Sequence, residues 1–519
     1  MIHRVASATV SGIEGLPVTV EVDVRRGLPC LQVVGLPAAS LRESRERVMT
    51  AVRNSGLPWP AGRVTVNLLP ADERKDGAAA ELAMAVAITV AAGGTGPPPE
   101  RAAAVLLGEL SLDGTVRPVR GLLAMVTAVA AAGHRCCLVP QRQAGAAARV
   151  PGIRVHGVAT LAEAVAWYGG TANLPLAAPA VPRPEPPPSR KASGWFSLVP
   201  ARARRVAEIA AAGRHHLLLV GPPGSGKTVL AWWIGRLQPS LSAAEALAVA
   251  CIHGAAGLLP DGDWPRRRPF RAPHHSTTRA GLLGGGAPCR PGEVTLAHHG
   301  VLFLDELTEF APMVLEGLRE PLQEGRVAIS RVGGGRRWPA AFQMVAAANP
   351  CRCGYAGSCR RTCRCGPADL ERYRRRLSGP LLDRVDLFLE LAEPEDWHVA
   401  GDRQAAARER ELVAVTRNRI TAAREVLARR HTEARDGTIP WAGLDEGAIR
   451  ILEAAATRLS LSRRALARCV AVAETVAALA GRSRPGAADM AEALGYRRGA
   501  VSLWSAGETP VGPGHAAGN

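Results

Sequence analysis

The sequence has no run of about 18 apolar residues free of Gly, Pro and charge, roughly the length that a membrane-spanning helix needs. Its first residues, Met1 to Ala8, also lack the apolar segment of a secretory signal. Both absences argue against the membrane-spanning and exported classes of protein. We therefore expect a cytoplasmic protein that does not enter a membrane.

Acidic residues are in deficit across the 519 positions: 46 Asp and Glu stand against 64 Lys and Arg, which gives a formal net charge of +18. A surplus of this size favours a polyanionic partner, above all nucleic acid. The alternative is an arginine-rich composition that reflects coding bias and has no binding role. Charge alone does not separate the two.

A chain of this length is expected to form about two to four domains. Seven prolines between Pro175 and Pro188 predict an extended linker, because such a segment forms neither a helix nor a central strand. Alternating apolar residues at Val18 to Val24 and helical periodicity at Ser40 to Asn54 predict an α+β fold before it. The predicted parts are an α+β domain at 1–170, a Pro-rich linker at 171–193, an α/β core at 194–395, a helical lid-like region at 396–500 and a flexible tail at 501–519.

A glycine-rich loop follows the apolar segment His215 to Val220 and precedes a predicted helix at Val229 to Leu237. The pattern G-x-x-x-x-G-K-T between a strand and a helix predicts a P-loop, in which backbone N–H groups surround phosphates. Lysine then contacts the outer phosphates and threonine contacts Mg²⁺, so we expect ATP and Mg²⁺ as ligands. The loop consists of Gly221, Pro222, Pro223, Gly224, Ser225, Gly226, Lys227 and Thr228.

Two acids follow the apolar strand predicted at Val301 to Leu304. The carboxyl ends of parallel strands share one edge of a sheet, which places Asp305 and Glu306 beside the phosphates. Asp305 is expected to hold Mg²⁺ together with Thr228, and Glu306 to orient or deprotonate the attacking water. The alternative for the pair is a solvated strand end.

Two further residues are candidates for hydrolysis. Asn349 ends a third predicted strand, Gln343 to Ala348, where it could polarise the same water; as a residue before Pro350 it could instead only form a turn. Arg384 could reach the γ-phosphate of a neighbouring subunit in a ring, and its alternative is a surface salt bridge.

Five of the 11 cysteines fall between Cys351 and Cys365, a spacing that favours a metal site in a reducing compartment over disulfides. Two C-x-C pairs supply Cys351, Cys353, Cys363 and Cys365 as candidate ligands of one structural zinc. Reduced buried thiols and a redox role remain the alternatives. Zinc would hold together an insertion, 351–365, that has little core of its own.

These motifs occur together with Arg271-Ala-Pro-His-His275 and Ser378-Gly-Pro-Leu-Leu-Asp-Arg-Val-Asp386. Together they resemble the Mg-chelatase-like AAA+ ATPase family of the ComM (competence protein) type. The N-terminal part is similar to the same family through Gly35-Leu-Pro37, Glu43 to Val48, Val66 to Asp72 and Gly108 to Gly114. The resemblance therefore covers nearly the whole chain.

The resemblance implies a homohexameric ring, an ATP-hydrolysing DNA helicase that drives branch migration in recombination or natural transformation. Arg331, Arg336, Arg337 and Trp338, beside a predicted hairpin, are compatible with a DNA-binding pore loop. A protein-remodelling or Mg-chelatase-type motor that does not act on DNA remains the alternative.

In the helical region the resemblance implies that Arg464 is the sensor-2 arginine that touches ATP, with Arg468 as the second choice. Periodicity alone makes both arginines the polar face of a helix. The Gly-Gln pair that the family usually has before its first motor helix is replaced here by Ser197 to Ala201.

The resemblance also implies a Lon-protease-like fold for residues 1–170. Lon-type enzymes need a serine and a lysine, but this chain has Lys75-Asp-Gly-Ala-Ala-Ala80 and Gly121-Leu-Leu123 at the matching positions. Without nucleophile and base, the domain is expected to be catalytically inactive.

Overall fold

The computed structural model describes residues 2–35, 38–70, 77–93, 95–181, 196, 199–286, 289–329, 335–358, 360–392, 403–433, 443–459 and 461–504. The predicted linker from residue 182, Lys75, Arg331, Cys359 and the tail from residue 505 lie outside this range. Two compact units are present: residues 1–185 with 241–267 and 285–291, and residues 186–240 with 268–284 and 292–519. The segments 241–267 and 285–291 of the predicted α/β core thus belong to the first unit.

Eighteen strands lie in the described part of the chain. They are β1 (Ile2–Ser11), β2 (Glu14–Arg25), β3 (Cys30–Val34), β4 (Arg63–Leu69), β5 (Val105–Leu106), β6 (Glu109–Leu110), β7 (Val116–Arg117), β8 (Cys136–Pro140), β9 (Arg154–Val158), β10 (Leu217–Val220), β11 (Phe270–Arg271), β12 (Gly284–Gly285), β13 (Arg290–Pro291), β14 (Val301–Leu304), β15 (Arg326–Ile329), β16 (Arg336–Pro339), β17 (Gln343–Ala348) and β18 (Leu387–Glu390).

The α-helices of the described residues are also numbered in chain order. They are α1 (Ala38–Asn54), α2 (Glu81–Ala91), α3 (Pro99–Ala102), α4 (Leu122–Ala131), α5 (Gln141–Ala147), α6 (Leu161–Tyr168), α7 (Ala201–Gly213), α8 (Lys227–Leu237), α9 (Ala243–Ala256), α10 (Arg279–Leu283), α11 (Glu293–Leu296), α12 (Pro312–Glu316), α13 (Arg319–Glu324), α14 (Pro367–Arg374), α15 (Gly379–Leu382), α16 (Arg403–Glu433), α17 (Glu446–Arg458), α18 (Arg463–Leu479) and α19 (Ala487–Trp504).

The first unit contains a mixed seven-stranded sheet in the order β3-β4-β2-β1-β5-β8-β9. Strand β2, which lies between β4 and β1, alternates as the sequence predicts, and Val18, Val20 and Val22 are buried on one face. Helix α2 is buried along nearly its whole length, which suits a segment made almost entirely of Ala, Val, Ile and Leu. Helix α9 belongs to this unit, where Cys251 Sγ lies 3.6 Å from Thr127 Oγ1 of α4.

The second unit is built on a parallel five-stranded sheet in the order β11-β14-β17-β10-β18. Strands β10, β14 and β17 are completely buried, as expected for apolar runs covered on both faces. The carboxyl ends of these three strands meet at one edge, where the P-loop begins. The predicted α/β fold with a parallel sheet is confirmed.

Helices α16 to α19 follow the sheet in the second unit. Ile420, Leu452, Val470 and Met490, one from each helix, share a core with Leu217 of β10. The helices are therefore packed on the sheet by a common apolar core. No helix among the described residues is long and apolar enough to cross a membrane.

Candidate active site

The P-loop joins the buried strand β10 to helix α8. Gly226, directly before the helix, has φ +84°, a left-handed conformation that glycine adopts without steric cost. The Lys227 ammonium donates hydrogen bonds to the Gly221 and Pro222 carbonyl oxygens at 2.7 and 2.8 Å and to Asn349 Oδ1 at 3.3 Å. The structure therefore brings the predicted P-loop lysine and the predicted sensor asparagine into direct contact.

Burial lowers the pKa of Lys227, and the negative charges of Asp305 and Glu306 oppose that shift. The two carboxylates therefore lie close enough to the ammonium to interact with it electrostatically. This arrangement matches an ATP site, in which cation and acids meet at the outer phosphates.

Asp305 connects the end of β14 to the P-loop helix. Its Oδ2 accepts a hydrogen bond from Thr228 Oγ1 at 3.0 Å, and its Oδ1 accepts one from the Glu306 backbone N–H at 3.0 Å. A hydroxyl and a carboxylate at this spacing are the donor set that Mg²⁺ takes in P-loop enzymes. The residues present therefore fit Mg²⁺.

Glu306 has a left-handed backbone conformation, φ +50° and ψ +49°, which is uncommon for a residue with a side chain. Its side chain is 54% exposed, and Oε2 lies 3.2 Å from His275 Nδ1. Sparsely populated backbone conformations of this kind cluster at functional sites.

Asn349 is fixed by a chain of hydroxyl contacts. Thr308 Oγ1 donates to the Tyr373 hydroxyl at 2.8 Å, and this hydroxyl donates to the Asn349 carbonyl at 3.1 Å. Tyr373 is buried, which raises the pKa of its hydroxyl and keeps it a donor. The backbone of Asn349 is thereby tied to the segment that follows Glu306.

The four predicted cysteine ligands converge directly after Asn349. Their sulfur atoms all lie within 4.8 Å of one another, and Cys351 Sγ is 3.3 Å from Cys353 Sγ and 3.7 Å from Cys363 Sγ. Four thiolates bound tetrahedrally at about 2.3 Å from zinc are separated by roughly 3.8 Å, so the residues fit this metal. Hydrogen bonds from the backbone of Arg364 and Tyr355 lower the pKa of Cys353 to about 6.

The cysteine loop also packs against the P-loop. A Cβ atom added at Gly354, whose φ is +87°, would lie 2.9 Å from Pro223 Cδ. Only glycine combines this backbone conformation with so close an approach. The candidate metal site is therefore held beside both Asn349 and the phosphate loop.

Arg384 lies at the opposite edge of the sheet, among the residues that precede strands β10 and β18. Its guanidinium, in a residue 9% exposed, donates to the Pro380 carbonyl and, at 2.9 Å, to Gln323 Oε1. Together with Arg464 and Arg468 it lines a cavity of about 440 Å³. A four-residue strand separates the two edges by roughly 13 Å.

Arg464 and Arg468 differ in their partners within this cavity. Arg468 is paired with Asp386, a buried carboxylate whose Oδ2 also accepts the His216 backbone N–H at 2.6 Å. Burial lowers the pKa of Arg384, and repulsion from Arg464 adds to this shift. The structure thus places Arg464 beside Arg384, at the opposite edge from Lys227 of its own chain.

In the hairpin formed by β15 and β16, one residue that was expected to contact DNA is buried. Trp338 is 0% exposed and packs inward, so it is not available to stack on nucleic acid bases. The alternation of β16 explains this, because Arg337 and Trp338 point to opposite faces. Arg337 is exposed, while the tip with Arg331 lies outside the described residues.

Sequence reasoning did not assign a role to His275, Tyr373 or Gly354. His275 lies within a motif that the family resemblance already marked, which was an available signal. Tyr373 and Gly354 reach the site through packing, and no local pattern indicates that.

Three family models match successive parts of the chain. They describe "Subunit ChlI of Mg-chelatase" at residues 20–143, "Magnesium chelatase, subunit ChlI" at 199–398 and "Magnesium chelatase, subunit ChlI C-terminal" at 410–497. The competence protein ComM of Haemophilus influenzae is 37% identical over 95% of this chain and 97% of its own length. This chain belongs to the Mg-chelatase-like AAA+ ATPase family.

Other relatives match this chain over nearly their whole length. The uncharacterised protein YifB of Escherichia coli is 38% identical over 90% of this chain and 91% of its own. The uncharacterised protein Rv2897c of Mycobacterium tuberculosis is 42% identical over 95% and 98%, respectively. The Mg-chelatase-like family implies ATP and Mg²⁺ as ligands and an oligomeric assembly, in agreement with the residues around Lys227.

Proposed function

We propose that the protein is a Mg²⁺-dependent, ATP-hydrolysing ring motor that moves DNA, as a helicase or branch-migration ATPase in recombination or natural transformation. The observation that carries the proposal is the division of the catalytic groups between two edges of one sheet. One edge holds Lys227, Thr228, Asp305, Glu306 and Asn349, and the other holds Arg384 and Arg464.

Hydrolysis at the first edge uses the groups in distinct ways. When bound, Mg²⁺ would be held by Thr228 and Asp305 and would neutralise charge on the phosphates. Lys227 contacts the outer phosphates, Glu306 accepts the proton of the attacking water, and Asn349 orients that water through its side-chain amide. These roles match the positions at the ends of β10, β14 and β17.

A neighbouring subunit supplies the remaining cations. Arg384 and Arg464 lie together and repel each other, so a phosphate placed in their cavity gains two cationic partners. Arg468 is already neutralised by Asp386, which favours Arg464 over Arg468 as the second arginine. A ring, as a hexamer, brings this cavity to the ATP of the next subunit.

Residues 1–170 form a domain that is similar to the Lon protease domain but does not catalyse proteolysis. Ala79 and Leu123, at the positions of the missing serine and lysine, share one apolar core. The acid nearest in sequence, Glu81, is fully buried and accepts hydrogen bonds from Ser44 Oγ at 2.8 Å and Arg47 Nη2 at 2.7 Å. It is therefore engaged in a structural ion pair and is not a substitute nucleophile. Helices α16 to α19 form the lid-like region.

Zinc is the ligand that we propose for the cysteine cluster. When bound, it would be held by Cys351, Cys353, Cys363 and Cys365 and would stabilise the 351–365 insertion. Its expected role is structural. The insertion would then keep Gly354 against Pro223 and so fix one side of the phosphate loop.

DNA is supported as the substrate by three properties. The net charge is +18, the exposed Arg337 lies on the hairpin of the second unit, and a family member is named a competence protein. The alternative, a chelatase-type or protein-remodelling motor, is favoured by the family models themselves, which describe a Mg-chelatase subunit.

Steady-state ATP turnover with and without forked DNA, measured beside light scattering in ATP, tests the proposal. We expect a ring-sized assembly, a severalfold increase of turnover with forked DNA and strand separation that Lys227→Ala abolishes. The thermal unfolding midpoint of Lys227→Ala, compared with that of the parent protein, controls for the fold. An ATPase that DNA neither binds nor stimulates would favour the alternative motor, and strand separation by the Lys227→Ala protein would contradict the helicase.

A further inference from the structure

The His275 imidazole contacts the Glu306 carboxylate from the turn that follows β11, the strand next to β14. We propose that His275 is a positioning residue for hydrolysis: it fixes the orientation of the Glu306 carboxylate and so sets the rate of the chemical step. The inference rests on the proposed ATPase function and adds a residue to its machinery.

Glu306 is held at both ends in the structure. Its backbone N–H donates to Asp305 Oδ1 at 3.0 Å, and its carboxylate Oε2 lies 3.2 Å from His275 Nδ1. A glutamate side chain has three rotatable bonds, so an exposed carboxylate samples many orientations unless a partner restrains it. His275 supplies that restraint at a residue whose backbone is already in an uncommon conformation.

The strand order explains why His275 reaches this position. Strand β11 runs parallel to β14, with Phe270 opposite Val301 and Arg271 opposite Leu302. The chain therefore leaves β11 at the same edge at which Asp305 and Glu306 leave β14. Arg271 anchors the end of β11 through two hydrogen bonds to Glu293, at 2.7 and 2.9 Å.

The turn that carries His275 is itself organised. The Thr277 backbone N–H donates to the His274 carbonyl at 2.9 Å, and the His274 ring nitrogen lies 2.8 Å from Ser276 Oγ. The centroids of the two imidazole rings lie 4.1 Å apart, and the ring planes are tilted by 35°. His274 therefore supports the ring of His275 but does not share its contact with the carboxylate.

The contact has a defined chemical consequence. When Nδ1 of His275 carries a proton, that proton faces Oε2 at the 3.2 Å contact, which leaves Oε1 as the oxygen that accepts the proton of the attacking water. A general base works only when it lies within hydrogen-bond reach of the proton that it removes. Loss of the imidazole should therefore lower the rate of hydrolysis without changing how ATP binds.

Three variants test this role in the full chain with saturating Mg²⁺ and a range of ATP concentrations. We expect His275→Ala to lower kcat about tenfold, a part of the effect of a general base, with KM for ATP within about twofold of the parent. His275→Asn should restore much of the rate, because its amide nitrogen donates from nearly the same place as Nδ1. His274→Ala, the matched control, should lose less than His275→Ala.

Binding of a fluorescent ATP analogue and the thermal unfolding midpoint should be unchanged in His275→Ala, which separates positioning from folding. An unchanged or increased kcat in His275→Ala would overturn the proposal, as would equal losses in His275→Ala and His275→Asn. A parent protein that hydrolyses no ATP would instead remove the proposed ATPase function, so the two failures are distinguishable.

Discussion

The two edges of the parallel sheet carry opposite kinds of electrostatic arrangement. At the carboxyl edge, Lys227 is surrounded by the oxygen atoms of Gly221, Pro222 and Asn349 and by the charges of two acids. At the amino edge, Arg384 and Arg464 repel each other across an open cavity. The cation at the carboxyl edge already has its partners within one chain. The two arginines at the amino edge, by contrast, would be stabilised most by an anion from another molecule. This difference supports the proposal that two neighbouring subunits together form the active unit.

The largest expected effect comes from removing the cation of the amino edge. Arg384→Ala should lower ATP turnover about 1000-fold, because an arginine supplied by a neighbour stabilises the charge of the transferring phosphoryl group. Steady-state turnover, with nucleotide affinity measured separately, checks this. Arg372→Ala, on the exposed α14, is the control.

Mixing experiments make the comparison sharper. The Glu306→Gln protein lacks the base but keeps Arg384, and the Arg384→Ala protein keeps Glu306. In rings that contain both proteins, some interfaces therefore join an intact Glu306 to an intact Arg384. Such mixtures should recover measurable turnover that neither variant shows alone. Absence of recovery in mixed rings of proven composition would place Arg384 outside a shared site.

Substitutions of the two other arginines of the cavity should differ in their effects on turnover and on stability. Arg464→Ala is expected to lower turnover with little effect on folding, whereas Arg468→Ala leaves the buried Asp386 without its cation and should destabilise the protein by about 3 kcal/mol. Denaturant unfolding and ATP turnover of both variants test this. Equal loss of stability in both would mean that Arg464 is also a structural residue.

Loss of a cysteine ligand is expected to weaken ATP binding at the carboxyl edge, because the cysteine loop packs against the P-loop. Cys353→Ser should release zinc, lower the unfolding midpoint and weaken ATP binding severalfold, because Gly354 packs on Pro223. Metal analysis, thermal unfolding and binding of a fluorescent ATP analogue measure the three effects. Cys469→Ser, a buried cysteine of α18, controls for thiol loss. Stoichiometric zinc in Cys353→Ser would contradict the assignment.

The smallest effect concerns pH. Burial lowers the pKa of His216 to about 4, below its unfolded value of about 6.5. Between these values the unfolded chain binds a proton that the folded chain does not, so stability is lost as pH falls from about 6.5 to 4. The thermal unfolding midpoint should fall by about 3 to 5 °C across this window. His216→Asn should show a flatter profile, and a parallel profile would exclude this residue as the cause.

Much of the carboxyl edge could be predicted from the sequence. The predicted strands Val301 to Leu304 and Gln343 to Ala348 coincide with β14 and β17, because completely buried strands are uninterrupted apolar runs. The P-loop could be predicted because its backbone requires glycine at fixed positions. The roles assigned to Asp305, Glu306 and Asn349 stay predictions, although the structure brings these residues together near Lys227.

The amino edge and the first unit were harder to predict. The segment Ala243 to Ala256 is apolar on nearly all sides, so its own sequence does not show that it packs on α4. Likewise, the contact between His275 and Glu306 depends on the order of β11 and β14 in the sheet. Strand order is a long-range property that no local pattern contains.

The position of the Lys227 ammonium, between the Gly221 and Pro222 carbonyl oxygens, has a consequence for chemical labelling. The chain has only three lysines, Lys75, Lys191 and Lys227, and burial lowers the pKa of Lys227. An acyl-phosphate derivative of ATP delivers its acyl group to an amine near the phosphates, so it should modify Lys227 selectively. With so few competing amines, peptide mass spectrometry could then read nucleotide occupancy subunit by subunit, even in mixed rings.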